Sequence, residues 1–391
     1  MSVLNAEEQS ALAAARDFAD TQVRPRAAAW AHGAADARAL LVPAAQAGLL
    51  GLEVPVAQGG RGLSFACKWQ VAETLAAVDF GFAMSLINTH NVARHLALSA
   101  TPAVAQRFVP ELLAGRRTGC TALTEPGAGS DFAAITTTAR RDVDGWLLDG
   151  RKAWIVNATH AEVLVVYAQT EPGSGARGIA AFVVDGTREG FVRDAGAPGA
   201  TSSAAARAID VGGFQLQGYR AHEGELLHAP GQAFKAALAS INGARVYVAA
   251  MCCGMVAECL RVAADYGARR HAFGQPLHGH QGWRWALADA AIDLEAARRL
   301  VEAAGDGIAA GPGNAATQTA AAQAKVFATR MAGRHVAALL HAMGAEGLRD
   351  EHPFLRHLGA AQVAALVDGS TEMLLERIAK DLRPRSAPSR A

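Results

Sequence analysis

Twice along its 391 residues this chain changes the period of its apolar residues, and that change limits the folds open to it. Up to about residue 115 the spacing is helical, as in Leu12, Ala15 and Phe18-Ala19, and again in Leu40-Leu41, Ala44-Ala45 and Gly48. From about 116 to 230 β-branched and alternating runs take over: Ile135-Thr136-Thr137-Thr138-Ala139, Trp146-Leu147-Leu148, Val163-Leu164-Val165-Val166-Tyr167 and Ile179-Ala180-Ala181-Phe182-Val183-Val184. Helical stretches then return over 232–268, 281–304, 315–341, 353–366 and 370–382. A helix cannot bury a period of two, nor a strand a period of 3.6. The expected fold is therefore α+β. It has an N-terminal helical domain (1–115), a middle β-barrel or sandwich domain (116–230), a C-terminal antiparallel helical bundle (231–382) and a disordered tail (383–391).

Local punctuation refines this division. Pro25, Pro43, Pro55 and Pro102 are expected to break the first domain into separate helices, and Gln58-Gly59-Gly60-Arg61-Gly62 to form a loop. Asp144-Gly145, Asp149-Gly150 and Asp185-Gly186 read as turns between strands, and the loop 309–314 as a break between two helices. The run Val246 to Ala257 is shorter than the about 20 residues that cross a bilayer, and reads as a buried core helix. The N-terminus is acidic and amphipathic, unlike a signal peptide, so a cytoplasmic location is expected.

Composition excludes some functions. With 37 basic and 36 acidic residues there is no electrostatic footprint for nucleic acid or an anionic membrane. Five cysteines without metal spacing read as reduced thiols, and no metal is expected. Asn88, His90, Asn91 and His95 read as satisfied polar residues of a helix, with no site assigned to them.

The chemistry concentrates in 120–157. In Thr124-Glu125-Pro126-Gly127-Ala128-Gly129-Ser130-Asp131, Gly127 and Gly129 let backbone N–H groups approach an anion and Ser130 adds a hydroxyl. The loop has neither the G-x-G-x-x-G spacing of a dinucleotide fold nor the Lys-Ser/Thr ending of a P-loop. Glu125 is a loop carboxylate with no proton-transfer role assigned.

This loop, followed by Gly150-Arg151-Lys152-Ala153-Trp154-Ile155-Val156-Asn157, resembles the acyl-CoA dehydrogenase flavoprotein family. Arg270-His271-Ala272-Phe273-Gly274-Gln275-Pro276 with Gln281 is similar to the family's R-x-x-F-G-x-P…Q signature. Asp368-Gly369-Ser370-Thr371-Glu372 stands where the family has E-G-T-x-E, and the loop 58–62 resembles its Y-G-G-x-G turn. The resemblance implies FAD as cofactor and an acyl-CoA or acyl-carrier thioester as substrate. It also implies an electron-transfer flavoprotein as acceptor and a homotetramer or homodimer.

It further implies roles for individual residues. Asp368 would take the α-proton and the Gly369 N–H would polarise the thioester carbonyl. Leu123, Thr124, Gly129, Ser130, Trp154 and Val156 would contact the flavin, Trp154 by stacking on its ring; Ser370 and Glu372 also count among the cofactor residues. Arg270, Phe273 and Gln281 would reach the FAD of a neighbouring subunit, with His341 and Gly344 contributing cofactor contacts; Ser130 and Arg245 would touch substrate.

Several positions depart from the family pattern. Asp368 replaces a Glu, Val156 a Thr, and His341 a Gln; Gly344-Ala345 replaces Gly-Gly. Ala244 fills the place from which a minority of the family supplies a Glu. In the segment 196–206 and beyond, Arg207 matches a family Arg, whereas Ile209 and Val211 replace polar residues. Taken without the resemblance, Asp368 or Ser370 reads as the N-cap of the last helix, and Trp154 as filler of a sheet face. Three functions stay open: a dehydrogenase, a flavin oxidase or monooxygenase on a non-thioester or carrier-bound substrate, and a degenerate flavin-bearing binding protein.

Overall fold

The computed structural model describes residues 4–31, 37–194, 210–311 and 313–382. The expected tail, the segment 196–206, Arg207 and Ile209 lie outside the described residues. The N-terminal part holds α1 (Ala6–Phe18), α2 (Arg24–Ala31), α3 (Leu41–Gln46), α4 (Phe65–Val78), α5 (Phe80–Ser99) and α6 (Pro102–Leu113). Side chains fix where these begin. Asn5 and Glu8 form a reciprocal capping box on α1, Ser64 caps α4 and Asp79 caps α5. Pro25 does not break the chain as expected. A π-helical turn, Ala19–Val23, carries α1 into α2, and the widened turn accommodates a residue that brings no N–H.

The middle part is one sheet of β1 (Gly119–Ala122), β2 (Thr138–Asp142), β3 (Gly145–Val156), β4 (Val163–Gln169), β5 (Ile179–Asp185), β6 (Phe191–Arg193), β7 (Val211–His222) and β8 (Leu226–His228). The order is β6-β7-β3-β2-β4-β5-β8, with β1 parallel to β4. Leu148 from β3, Leu164 and Val166 from β4, Phe182 from β5 and Phe214 from β7 meet in a single interior cluster, so the sheet curls onto itself. The alternate residues Val163, Val165, Tyr167 and Val183 join a second cluster with α5, α6 and the start of the next helix. Burial on both faces is why β4 and β5 read as continuous apolar runs.

Two strand expectations are corrected. Asp149-Gly150 is not a turn. Gly150, at φ 150°, sits in a bulge within β3, where a Cβ would come 2.6 Å from the Thr137 Cα. Pairing of the run 135–139 starts only at Thr138, because the backbone N–H groups of Thr136 and Thr137 are taken by the Glu125 carboxylate.

The C-terminal part contains α7 (Ala233–Arg269), a short hairpin of β9 (His271–Ala272) and β10 (Gln275–Pro276), α8 (Gln281–Ala310), α9 (Ala315–Met343), α10 (Phe354–Leu366) and α11 (Thr371–Asp381). α8 runs past the expected break into 309–310, because its last turn closes at Gly311. By length and hydropathy α7 could cross a membrane, but 78% of its most apolar window is buried, packed among α4, α8 and α9. All five cysteines are free and buried.

Candidate active site

The Gly-rich loop is held from beneath by a buried ion pair. Lys152 Nζ on β3 donates to Glu125 Oε1 at 2.8 Å and to the Leu123 carbonyl at 2.9 Å. Glu125 also accepts from the Thr136 N–H and hydroxyl, both 2.7 Å, and from the Thr137 N–H at 2.9 Å. Burial works against this carboxylate, yet the Lys152 ammonium and these donors outweigh it and hold the Glu125 pKa well below the usual range. Glu125 is thus an anchor and not a solvated loop acid.

Above the anchor, Glu125 and Ala128 exchange backbone hydrogen bonds and turn the loop outward. Gly129 and Ser130 are exposed, and the N–H groups of Gly127, Gly129 and Ser130 have no acceptor among the described residues. The Thr124 carbonyl accepts from the Ala153 N–H at 3.1 Å, which ties the loop to a second irregularity in β3. There Trp154 adopts φ 60° and leaves its indole 60% exposed, so it does not fill a sheet face. Val156 is half-buried against the large helical core. Free N–H donors beside an exposed flat aromatic ring suit a ligand that is anionic at one part and planar at another.

A second group of residues surrounds Asp368, between α10 and α11. Asp368 and Gly369 have φ 55° and 98°, which turns their carbonyls toward two cations, the half-buried Arg245 and the buried Lys325. Arg245 Nε on α7 donates to the Asp368 carbonyl at 3.0 Å and its Nη1 to Asn242 at 2.7 Å. Lys325 Nζ on α9 donates to the Gly369 carbonyl at 2.6 Å. Burial raises the Asp368 pKa; Lys325 and then Arg245 pull it back without cancelling the rise. Burial lowers the Lys325 pKa to about 8 against the pull of Asp368, so it remains a cation at neutral pH.

Asp368 is no helix cap. The N-cap of α11 is Ser370, and even its side chain makes no capping bond, since the hydroxyl serves the exposed Glu372 instead. Lys325 was not legible as a site residue. Its one sequence signal is a charge on the otherwise small, buried stripe of Ala321, Ala324 and Ala328.

The remaining cofactor candidates lie elsewhere in the chain. Arg270 follows the last turn of α7, Phe273 sits 96% exposed in the hairpin, and Gln281 opens α8. Trp283 Nε1 donates to the Ala342 carbonyl at 3.0 Å, which places the start of α8 beside the exposed His341 and Gly344 at the end of α9. The Gly-rich loop packs at the opposite end of α7, where Phe132 stacks on Phe234 at 5.2 Å and Leu123 joins the cluster of Ala233 and Ala237. From Ala237 to Arg269 the helix rises by roughly 48 Å. One chain therefore keeps the Arg270, Gln281 and His341 group well apart from the Gly-rich loop.

Family models for acyl-CoA dehydrogenases match over three stretches: the N-terminal domain at residues 5–116, the middle domain at 120–209 and the C-terminal domain at 231–383. The short-chain specific acyl-CoA dehydrogenase of Bos taurus is 32% identical over 361 residues, 92% of this chain and 85% of that protein. This chain belongs to the acyl-CoA dehydrogenase family. The short/branched chain specific acyl-CoA dehydrogenase of Rattus norvegicus is 29% identical over 94% of this chain and 84% of its own length. The butyryl-CoA dehydrogenase structure from Megasphaera elsdenii superposes with a TM-score of 0.90 at 27% identity, covering 98% of this chain and 99% of that one. As a member of the acyl-CoA dehydrogenase family, the protein is an oxidoreductase of acyl-CoA dehydrogenase type.

Proposed function

We propose that the protein is an FAD-dependent acyl-CoA dehydrogenase in which Asp368 removes the α-proton of an acyl thioester. The observation that carries this reading is the setting of Asp368, a carboxyl whose pKa burial raises, on a loop held at both neighbouring carbonyls by Arg245 and Lys325. A general base works best with a pKa near the operating pH, so an upward shift is what proton abstraction asks of an Asp. The Gly369 N–H has no acceptor among the described residues and is free to donate to the thioester carbonyl. That donation stabilises negative charge as the α-proton leaves.

FAD, when bound, supplies the acceptor for the β-hydride. The free N–H groups of Gly129 and Ser130, the Leu123–Thr124 backbone and the exposed Trp154 would hold it from one subunit, with Val156 close by. Arg270, Phe273, Gln281, His341 and Gly344 would complete the site from a second copy, since one chain keeps them a helix length away. Arginine suits the pyrophosphate because its planar donors engage phosphate oxygens in pairs. The reading thus includes a homodimer or homotetramer, with an electron-transfer flavoprotein taking the electrons onward. The relatives' names, short-chain and butyryl, favour a short acyl chain.

Asp368→Asn tests the assignment. Anaerobic flavin reduction by a panel of acyl-CoAs should fall by about 10² to 10⁴, the usual share of a general base, while FAD and acyl-CoA still bind. Reduction as fast as in the parent would remove Asp368 from the chemistry. Oxygen uptake by the parent in place of stable bleaching would favour an oxidase.

A further inference from the structure

Arg245 reaches the Asp368 loop through one particular peptide group. Its Nε donates to the Asp368 carbonyl at 3.0 Å and its Nη1 to Asn242 Oδ1 at 2.7 Å, so the guanidinium is held at two nitrogens. A Cβ built on Gly369 would come 3.4 Å from Arg245 Nη2, which sets the cation along this peptide and not only at its oxygen. The Asp368 carbonyl and the Gly369 N–H belong to the same planar, trans unit, so the N–H points away from Arg245. Among the described residues that N–H has no acceptor, and no carboxylate stands at ion-pair distance from Arg245 to neutralise its charge. A cation on the oxygen of an amide draws electron density from its nitrogen and makes the N–H a stronger donor. Lys325 is arranged differently. Its Nζ donates to the Gly369 carbonyl at 2.6 Å, which belongs to the next peptide, the one that carries the Ser370 N–H.

We propose that Arg245 is a positioning residue for the reaction: it polarises the Asp368–Gly369 peptide, so that the Gly369 N–H binds the thioester carbonyl more strongly as negative charge grows on that oxygen. The inference rests on the acyl-CoA dehydrogenase function proposed above, in which this N–H meets the carbonyl. It adds a residue that acts on the substrate without touching it. The charge develops as Asp368 takes the α-proton and the electron pair of that C–H bond moves toward the carbonyl oxygen. An amide whose own oxygen is already held by a fixed cation needs no rearrangement at that moment. One such donor is worth about 10² to 10³ in rate, and a cooperative neighbour changes a hydrogen bond by about 10 to 30%. Arg245 should therefore contribute about 2- to 8-fold in rate through the peptide.

The test reads the carbonyl itself. Butyryl-CoA labelled with ¹³C at the thioester carbonyl is bound to the FAD-loaded Asp368→Asn protein, which lacks the base and leaves the ligand intact. Its C=O stretch is recorded by infrared difference spectroscopy. The stretch should lie below that of the free thioester in water, rise when Arg245→Met is added, and move much less with Lys325→Met. A stretch indifferent to Arg245→Met overturns the proposal, as does an equal rise in Lys325→Met, since any anchor of the loop would then do. Arg245→Gln, which keeps a donor and loses the charge, should give an intermediate rise and replaces the Met variant if that one fails to fold. A stretch no lower than in water overturns the proposal whichever variant folds. With Asp368 in place, anaerobic flavin reduction on the high-pH plateau, where the carboxylate is ionised with or without Arg245, should slow by about 2- to 8-fold in Arg245→Met. The dissociation constant should change less than the rate, and an unchanged plateau rate overturns the proposal too. If butyryl-CoA neither binds nor bleaches the parent, the proposed function falls; if it bleaches the parent and its stretch ignores Arg245, only the role of Arg245 does.

Discussion

Replacing Lys325 by Met separates a working electrostatic role from a merely structural one. Lys325 is 1% exposed, and its stem lies on the small-residue face of α9, where the unbranched Met side chain fits. Two stability effects oppose each other. Loss of the 2.6 Å bond to the Gly369 carbonyl removes a charge-assisted interaction worth about 1.5 to 3 kcal/mol. Burial, however, disfavours the ammonium: the fall of its pKa from 10.5 to about 8 corresponds to about 3 kcal/mol against the charged form. The terms nearly cancel, so the melting temperature should change little.

The effect on Asp368, the proposed base, has one sign only. Burial lifts the Asp368 pKa, and Lys325 is the larger of the two charges pulling it down. Without Lys325 the pKa rises further, the carboxyl stays protonated to higher pH, and the active carboxylate appears later in a titration. One opposite charge at close range moves a carboxylate by about 1 to 3 pKa units. The acid limb of anaerobic flavin reduction should therefore move up by about one pH unit or more in Lys325→Met, with the rate at high pH recovering toward the parent's. Stopped-flow reduction at saturating acyl-CoA between about pH 5 and pH 9 measures this. An acid limb left in place, with the fold intact, would reduce Lys325 to a backbone anchor.

Arg270→Ala should weaken FAD retention by about 10- to 100-fold, as loss of a charge-assisted contact of about 1.5 to 3 kcal/mol implies; unchanged retention on ultrafiltration would exclude this residue from the cofactor site. Acid should destabilise the fold through two buried imidazoles, His90 and His357, and the half-buried His95. Burial holds His90 and His357 down to about 3 and His95 to about 4, and the Nε2 atoms of His95 and His228 lie 2.7 Å apart. These groups are neutral when folded, whereas the unfolded chain takes up protons below about 6.5, so the stability they contribute is present above that pH and is lost as pH falls. Between about pH 7.5 and about pH 5 each should cost about 2 kcal/mol, and denaturant titrations at the two pH values that agree would contradict this burial.

The three-part fold was legible because periodicity reports which faces are buried, and these helices and strands are long enough to average out local exceptions. The exceptions arose where a distant group overrode local punctuation. Pro25 is accommodated by a π turn, and Thr136-Thr137 leave the sheet because Glu125, eleven and twelve residues earlier, takes their N–H groups. The motif residues around the Gly-rich loop and Asp368 could be named from local strings. Their partners could not. Lys325 meets Gly369 across 44 residues and Arg245 meets Asp368 across 123. His90 and Asn91 are hydrogen-bonded, as expected of satisfied polar residues, but nothing near Asn91 in the chain announces that it orients Tyr247, 156 residues on.

Asp in place of Glu at position 368 has a physical counterpart in the backbone. Left-handed φ is disfavoured for most L-residues, and Asp and Asn tolerate it better than longer side chains because their short polar groups bond locally. At φ 55°, followed by Gly369 at 98°, the loop is held in a conformation that suits Asp, with Arg245 and Lys325 fastened to its two carbonyls. The side chain gives up about 1.5 Å of reach compared with Glu. As the proposed base, a shorter carboxylate in a firmly held loop selects a substrate whose α-carbon is brought to it. Loop conformation and carboxylate length then bear on one property of the proposed reaction: how closely the α-carbon must approach this loop.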